Sequence, residues 1–155
     1  KPSSAASDVY KRQRIEKAYR HFGHDITDED HVLEAGLGFA VKVDKGDFLG
    51  RDAVLAKKEE GLSKILLQFC LLDPSAMMFH NEPILRNGVI VGYISSANYG
   101  HFLGAAVGLG YIPCFQEDIM DVLSSKYEIE IAGTLFEAKV SAKAMYDPKS
   151  LNVRI

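Results

Sequence analysis

The sequence lacks the features that mark membrane-spanning and nucleic-acid-binding proteins. No apolar run approaches the roughly 18 residues that a membrane-spanning helix needs. Basic residues are not in excess, since 18 Lys and Arg face 21 Asp and Glu, for a net charge of −3. No stripe of Lys and Arg is interleaved with aromatic residues. We therefore expect neither a membrane nor a nucleic acid as a partner.

Cysteine is also scarce. Only Cys70 and Cys114 are present, and no C-x-x-C pair occurs, which argues against a cysteine zinc site. Both lie in apolar segments, which predicts buried, reduced thiols in the cytoplasm, or in the mitochondrial matrix if the source is eukaryotic; a disulfide is the alternative. The polar opening over residues 1–8 has no signal-peptide pattern, and we expect a processed start or the edge of a longer protein.

What the sequence does contain is typical of a soluble globular chain of 155 residues, 47% hydrophobic and 25% charged. Near the start, apolar residues recur at helical spacing and predict a helix over residues 9–22 that stops at Gly23. We expect a short strand over residues 39–43. A second, charged helix is predicted over residues 50–60, and Gly61 should end it.

After Gly61 the hydrophobic period changes from 3.6 to 2, which is the period of a strand with one buried face. The dipeptide Asn87-Gly88 is the strongest hairpin signal in the chain. Five or six short strands at regular spacing suggest a small closed antiparallel barrel. We therefore predict a strand-rich α+β fold, with a mixed segment first and a barrel second.

Three groups of polar residues are candidates for chemistry, and each has a structural alternative. Glu16 offers a carboxylate that can accept two N–H bonds from a heterocycle, or it lies on a charged helix surface. His24 and His31 bracket the acidic residues 25–30, which form either a metal site or, more simply, a hydrated loop. Residues 95–101 crowd hydroxyl, amide, phenol and imidazole groups into a polar loop, which either faces a ligand or satisfies its own side chains.

Several motifs together resemble those of the glycine-cleavage T-protein (aminomethyltransferase) family, in matching order and spacing from about Tyr10 to Pro148. The resemblance lies in residues 14–23 (RIEKAYRHFG), 33–45 (LEAGLGFAVKVDK), 47–55 (DFLGRDAVL), 88–96 (GVIVGYISS) and 146–148 (YDP). Within that family, residues 92–110 are most similar to the T-protein-like C-terminal half of FAD-dependent sarcosine and dimethylglycine dehydrogenases.

The resemblance implies a fold and a chemistry. The fold would be the end of a folate-binding α+β domain over residues 1–60, followed by a six-stranded antiparallel Greek-key β-barrel over residues 61–155. The chemistry would be transfer of a one-carbon unit from a glycine, sarcosine or dimethylglycine type of donor to tetrahydrofolate. FAD would be bound only by an N-terminal domain that this chain does not include.

The resemblance also implies which residues contact the folate. In the family the glutamate of the R-x-E motif holds the pterin ring, and here that residue is Glu16. Arg14 and Tyr19 belong to the same motif, and Lys64 stands where an Arg-rich stretch holds the folate tail. The family's catalytic aspartate lies upstream, so no catalytic residue is expected in this chain.

The expected partners are therefore a small-molecule folate, an amine donor and the missing N-terminal half of the same protein. On this interpretation the fragment is inactive alone, while its full-length parent is an aminomethyltransferase or an FAD-dependent dehydrogenase. The alternative is a non-catalytic regulatory or binding module that keeps the T-protein fold.

Overall fold

A computed structural model describes residues 4–115 and 117–153. The described residues form three α-helices, three 3-10 helices and one β-sheet. The α-helices are α1 (Ser4–Glu16), α2 (Arg51–Glu60) and α3 (Ile119–Ser124), and the 3-10 helices are Gly38–Ala40, Val43–Lys45 and Leu151–Val153. Within the described residues, no helix has the length and apolar character needed to cross a membrane.

Six antiparallel strands close into a barrel, which confirms the predicted fold class. The strands are β1 (Lys64–Leu71), β2 (Pro83–Arg86), β3 (Val89–Gly100), β4 (Ala105–Pro113), β5 (Tyr127–Ile131) and β6 (Thr134–Ser141). Their order around the barrel is β1-β4-β3-β2-β5-β6, and β6 pairs with β1 to complete the ring. Closure removes the exposed edges that an open sheet of this size would present.

Two tight hairpins set the register of the barrel. Asn87 and Gly88 both have positive φ, at 53° and 82°, as the primed turn predicted from Asn-Gly requires. Ala132 and Gly133 repeat this geometry between β5 and β6, with φ of 48° and 80°. Both turns twist in the same sense as the strands they join; the β5–β6 register then runs without a shift, whereas the β2–β3 register shifts between Ile84 and Leu85.

The inward-facing side chains of the strands fill the barrel. Phe69 and Tyr127 meet edge to face at 5.6 Å between ring centroids, and Tyr127 donates a hydrogen bond to the Val122 carbonyl at 2.9 Å. Cys114 lies in this core and Cys70 in a smaller cluster beside it. Both are buried, free thiols, as predicted, and burial raises the pKa of each.

Helix α1 lies against β3 and β4, and its last turn is held by a buried side chain of β1. Gln68 Nε2 donates to the carbonyls of Ile15 at 2.7 Å and Glu16 at 3.2 Å, while its Oε1 accepts from the Met145 amide at 2.7 Å. Carbonyls at the end of a helix have no partner within the helix. Gln68 supplies one, and so anchors the end of α1 to the barrel.

Two of the predicted local elements were wrong. The helix predicted over residues 9–22 ends at Glu16, because Ala18 adopts a left-handed conformation (φ 51°) and the Tyr19 amide bonds back to the Arg14 carbonyl at 2.9 Å. The strand predicted over residues 39–43 is replaced by two 3-10 turns. Apolar composition suggested a strand there, but the chain makes local i to i+3 bonds instead of pairing with the sheet.

We expect Gly110→Ala to lower the free energy of unfolding by about 1–3 kcal/mol, the usual cost of overpacking. A Cβ on Gly110 would lie 2.5 Å from Ile84 Cδ1 and 2.8 Å from the Tyr93 carbonyl oxygen. Gly38→Ala is the control, since its Cβ would meet only Leu33 Cδ2, at 3.2 Å. Urea denaturation of both variants measures the effect, and equal midpoints would contradict the packing described for β4.

Candidate functional site

The carboxylate of Glu16 is the most distinctive group in the structure. It closes helix α1 and is only 3% exposed, so the charged-surface alternative for this residue is wrong. Its Oε1 accepts hydrogen bonds from the backbone amides of Phe102 at 2.8 Å and Leu103 at 3.1 Å. Within the described part of the chain, the other oxygen, Oε2, accepts no hydrogen bond.

Glycine makes this approach to the backbone possible. A Cβ at Gly100 would lie 2.9 Å from Glu16 Oε1 and 2.9 Å from Val107 Cγ2. No real Cβ tolerates both contacts, so a larger residue would push the carboxylate off the amides that hold it. The turn that follows β3 is thereby shaped around the Glu16 side chain.

Glu16 lines a cavity of about 370 Å³, which we call the aromatic cavity, together with four aromatic residues and with Gln13, Arg14, Lys17 and Asn152. The aromatic side chains that face it are Tyr10, Tyr19, Phe102 and Tyr146. The rings of Phe102 and Tyr146 stack at 4.3 Å between centroids, 16° from parallel. Such a cavity suits a flat heterocycle, because ring faces pack on it while a single carboxylate accepts from its N–H groups.

An ion pair ties the C-terminal segment to α1 beside this cavity. Lys17 Nζ lies 2.5 Å from Asp147 Oδ2 and 5.3 Å from the centroid of the Tyr146 ring. The hydrogen bond from Lys17 holds the pKa of Asp147 below its usual value. Asp147 also accepts from the amides of Leu151 and Asn152, so the segment that carries Tyr146 is fixed against the helix.

A second carboxylate, Asp25, is completely buried. Its Oδ2 accepts from Arg14 Nη1 at 2.5 Å and from the His21 amide at 2.8 Å, and its Oδ1 accepts from the hydroxyls of Ser95 and Ser96, both at 2.5 Å. Burial opposes ionisation, but the serine hydroxyls, the His21 amide and Arg14 outweigh it and keep the pKa of Asp25 below its usual value.

The prediction of a hydrated acidic loop over residues 25–30 was therefore wrong for Asp25. The prediction of a polar loop over residues 95–101 was wrong as well, because strand β3 runs to Gly100 and pairs with β4. A register shift between Ile94 and Ser96 interrupts that pairing. The hydroxyls of Ser95 and Ser96 both reach Asp25 at this bulge.

The structure brings three of the four residues predicted to contact folate together. Glu16, Arg14 and Tyr19 all line the aromatic cavity, and Arg14 Nη1 also donates to the Tyr19 carbonyl at 2.8 Å. Lys64 is not among the residues that line it. Its Nζ lies 2.5 Å from Asp30 Oδ1 and 4.6 Å from the centroid of the Tyr111 ring.

Sequence reasoning missed the amides of Phe102 and Leu103 and the roles of Asp25 and Gln68. Backbone amides leave no signal in a sequence. For Asp25 one signal was present, since two adjacent serines follow an apolar strand segment, but nothing local connected them to a carboxylate 70 residues away.

Comparison with solved structures defines the fold first. The chain superposes on aminomethyltransferase T of the glycine cleavage system from Bartonella henselae with a TM-score of 0.75 and 21% identity, over 89% of this chain and 38% of that one. A likeness at this identity establishes the fold alone, which is that of this T-protein over most of the chain.

Sequence comparison then gives the family. The model of the glycine cleavage T-protein C-terminal barrel domain matches residues 64–147. A 4-methylaminobutanoate oxidase (formaldehyde-forming) of Paenarthrobacter nicotinovorans is 40% identical over 91% of this chain, and the mitochondrial sarcosine dehydrogenase of Homo sapiens is 35% identical over 90%. The chain belongs to the glycine cleavage T-protein family and corresponds to its C-terminal portion.

These two relatives are much longer than this chain. The aligned region spans 17% of the oxidase and 16% of the dehydrogenase, about a sixth of each. The activities in their names therefore belong to proteins of which this chain matches one part.

We expect Asp25→Asn to destabilise the protein by about 3 kcal/mol, a usual cost of breaking a buried ion pair. The NH₂ group of the introduced asparagine would replace one carboxylate oxygen and would have to face either the Arg14 guanidinium or the two serine hydroxyls. Asp28→Asn is the control, because Asp28 is exposed. Urea unfolding at neutral pH measures the difference, and equal stability of the two variants would contradict the buried pair.

The wild type and the Asp25→Asn variant should respond differently to acid. The pKa of Asp25 is lowered in the folded state, so its contribution to stability is present above the unfolded value of about 3.9 and is lost as pH falls through the lowered value. The gap in stability between the two proteins should thus be largest at neutral pH and close in strong acid. If the difference in the free energy of unfolding between the two proteins widened as pH falls, the pKa of Asp25 would be raised in the folded state and not lowered.

Proposed function

We propose that this chain is the C-terminal part of a tetrahydrofolate-dependent, aminomethyltransferase-like protein and that Glu16 holds the pterin ring. One observation carries the proposal: a buried carboxylate, fixed through one oxygen, keeps its other oxygen free of protein donors in an aromatic cavity, as far as the described residues extend. A carboxylate oxygen has about two lone-pair sites. Oε2 can therefore accept from both N–H groups on the aminopyrimidine edge of a pterin.

The cavity residues would bind and orient the folate. Tyr19, Phe102 and Tyr146 present ring faces on which a pterin can stack, and Arg14 lines the same space. Tetrahydrofolate supplies the nitrogens that accept a one-carbon unit from an amine donor of the glycine, sarcosine or dimethylglycine type. The contribution of this chain is positioning and exclusion of water, which are large terms in reactions of this kind.

The remaining parts of the activity are proposed to lie outside this chain. The oxidase and the dehydrogenase align with this chain over only about a sixth of their length, which supports a parent protein with an upstream part that completes the cleft and, in a dehydrogenase, binds FAD. On this proposal the fragment is inactive alone. The division at residue 60 into a folate-binding segment and a barrel domain stays a prediction.

The test is calorimetric titration of the chain with 5-formyltetrahydrofolate, a stable folate. We expect saturable binding, weakened in Glu16→Gln by about 1.5–3 kcal/mol, or roughly 10- to 150-fold in Kd, because the amide would turn its NH₂ toward the pterin N–H groups. The matched control is Glu59→Gln, a charge removed from the exposed face of α2. Equal affinities for Glu16→Gln and Glu59→Gln would remove Glu16 from the site.

The proposed contact of Lys64 with the folate tail needs a separate test, because Lys64 is engaged by Asp30. If Lys64 meets the glutamate tail, Lys64→Gln weakens binding of 5-formyltetrahydrofolate and leaves binding of the matching pteroate, which lacks the glutamate, unchanged. The exposed Lys58→Gln is the control for loss of charge. An equal effect on both ligands would mean that Lys64 acts through the fold and not on the tail.

The Lys64–Asp30 pair also favours the second candidate function, a non-catalytic binding or regulatory module. Lys64 is a poor anchor for a ligand, because its ammonium group is already paired with Asp30 and its side chain is only 37% exposed. Titration of a full-length parent separates the two functions. A folded parent that binds no folate would favour the module, whereas binding that depends on Glu16 would favour one-carbon transfer.

A further inference from the structure

The stretch from Gly36 to Glu60, all of which the structure describes, contains no buried residue. It comprises two 3-10 turns and helix α2, and none of these elements has a buried side chain. The stretch is nevertheless rich in large apolar side chains, since Leu49 is fully exposed, Phe39 is 81% exposed and Phe48 is exposed as well. Exposed apolar side chains that cluster in this way mark an interaction surface.

Two adjoining grooves make this surface continuous. One, of about 590 Å³, is lined by residues 40–42 and 45–48, and the other, of about 450 Å³, is lined by residues 47–53. Asp47 and Phe48 line both grooves. We call residues 39–55 the apolar segment.

Polar contacts fix the shape of the apolar segment. Arg51 Nε donates to the Val43 carbonyl at 2.9 Å, which joins the start of α2 to the second 3-10 turn. Lys57 Nζ lies 3.3 Å from Glu34 Oε1, and the same oxygen accepts from the amide and hydroxyl of Ser63, just before β1. The segment is therefore tied to the rest of the chain by charged and polar groups, while its apolar side chains stay uncovered.

Helix α2 lacks the packing that normally stabilises a helix of its length. It has ten residues, and helices shorter than about 12 residues are marginal in water unless one face packs on a partner. Its large apolar side chains, Val54 and Leu55, are only partly covered. A partner that covers the apolar segment would supply the missing packing.

We propose that the apolar segment docks onto an apolar surface of the upstream part of the same polypeptide. The inference rests on the proposed function, in which such a part completes the cleft. The lengths of the similar proteins support it, because this chain covers 38% of the T-protein with the same fold and about a sixth of the oxidase and the dehydrogenase. Most of each of those proteins has no counterpart in this chain.

Concentration favours the upstream part over a second copy of this chain. A partner in the same polypeptide meets the segment at an effective concentration that is roughly millimolar, whereas a second copy is present only at its bulk concentration. Charge does not select a partner here, because the charged side chains of the segment alternate in sign along the chain. They are Lys42, Asp44, Lys45, Asp47, Arg51 and Asp52.

Hydrogen–deuterium exchange of the isolated chain and of a full-length parent tests the proposal. We expect the amides of residues 39–55 to exchange at least roughly tenfold more slowly in the parent, because a covered segment opens less often. The β5–β6 hairpin is the internal control and should exchange equally in both proteins. Equal exchange of residues 39–55, or an equal slowing of the hairpin, would overturn the proposal.

A substitution at Leu49 identifies the occupant. Because Leu49 is fully exposed, Leu49→Gln should leave the urea midpoint of the isolated chain unchanged. In the parent it should speed exchange of residues 39–55 roughly tenfold or more, the factor that burial of one leucine side chain contributes. Leu135→Gln is the matched control, since Leu135 is also exposed but lies on β6, and it should change neither measurement.

A second copy as the occupant would give a different result. Exchange of residues 39–55 in the isolated chain would then slow as its concentration rises, and Leu49→Gln would abolish that dependence. This outcome would overturn the proposal.

Titration of the same parent with 5-formyltetrahydrofolate separates this inference from the proposed function. A parent that binds the folate but leaves residues 39–55 unprotected would reject the docking surface alone. A parent that protects these residues but binds no folate would reject the pterin assignment and keep the docking surface.

Discussion

The buried carboxylate of Asp25 holds the last turn of α1, the segment after it and strand β3 in one arrangement. Its four donors come from these three parts of the chain: Arg14, the His21 amide, Ser95 and Ser96. Burial opposes the charge, and the serine hydroxyls, the His21 amide and Arg14 together keep the pKa of this carboxyl below its usual value. A shift of α1 relative to β3 would leave the Asp25 carboxylate buried without some of its donors. The aromatic cavity, which Arg14 and Glu16 of α1 line, depends on the same packing of α1.

Glu16 benefits from this rigidity. Its first oxygen is held by two backbone amides in the turn that Gly100 opens, and the end of its helix is capped by Gln68. None of these contacts requires a ligand. The free oxygen is therefore oriented before anything binds, and a ligand that meets it incurs little further loss of side-chain freedom.

A second cavity, of about 350 Å³, shares Tyr10 and Arg14 with the aromatic one. Glu16 places a carboxylate among aromatic rings in the aromatic cavity, while a lysine and three histidines line the second one: Lys11, His21, His24 and His80. Arg14 belongs to both, yet its charge is directed to Asp25 between them. The Arg14–Asp25 ion pair thus lies where the two cavities meet.

Local rules predicted much of the fold. The period of 2 after Gly61 and the Asn87-Gly88 turn act between near neighbours, so the barrel could be anticipated from the sequence, and the clustered motifs were enough to identify the family. Predictions from neighbouring residues failed where a residue distant in sequence determines the local structure. Spacing predicted that the first helix would continue to Phe22, but Gln68 caps it at Glu16 and Ala18 turns the chain away.

The sequence by itself determined the barrel, its hairpins and membership of the family, because strand alternation and turn chemistry are properties of adjacent residues. Only the tertiary structure decided which acidic residues are buried and what holds them. Glu16 and Asp28 look alike as charged residues in polar surroundings, yet one is enclosed and the other exposed. The partners of Glu16 lie 86 and 87 residues away, and no local pattern encodes a contact at that separation.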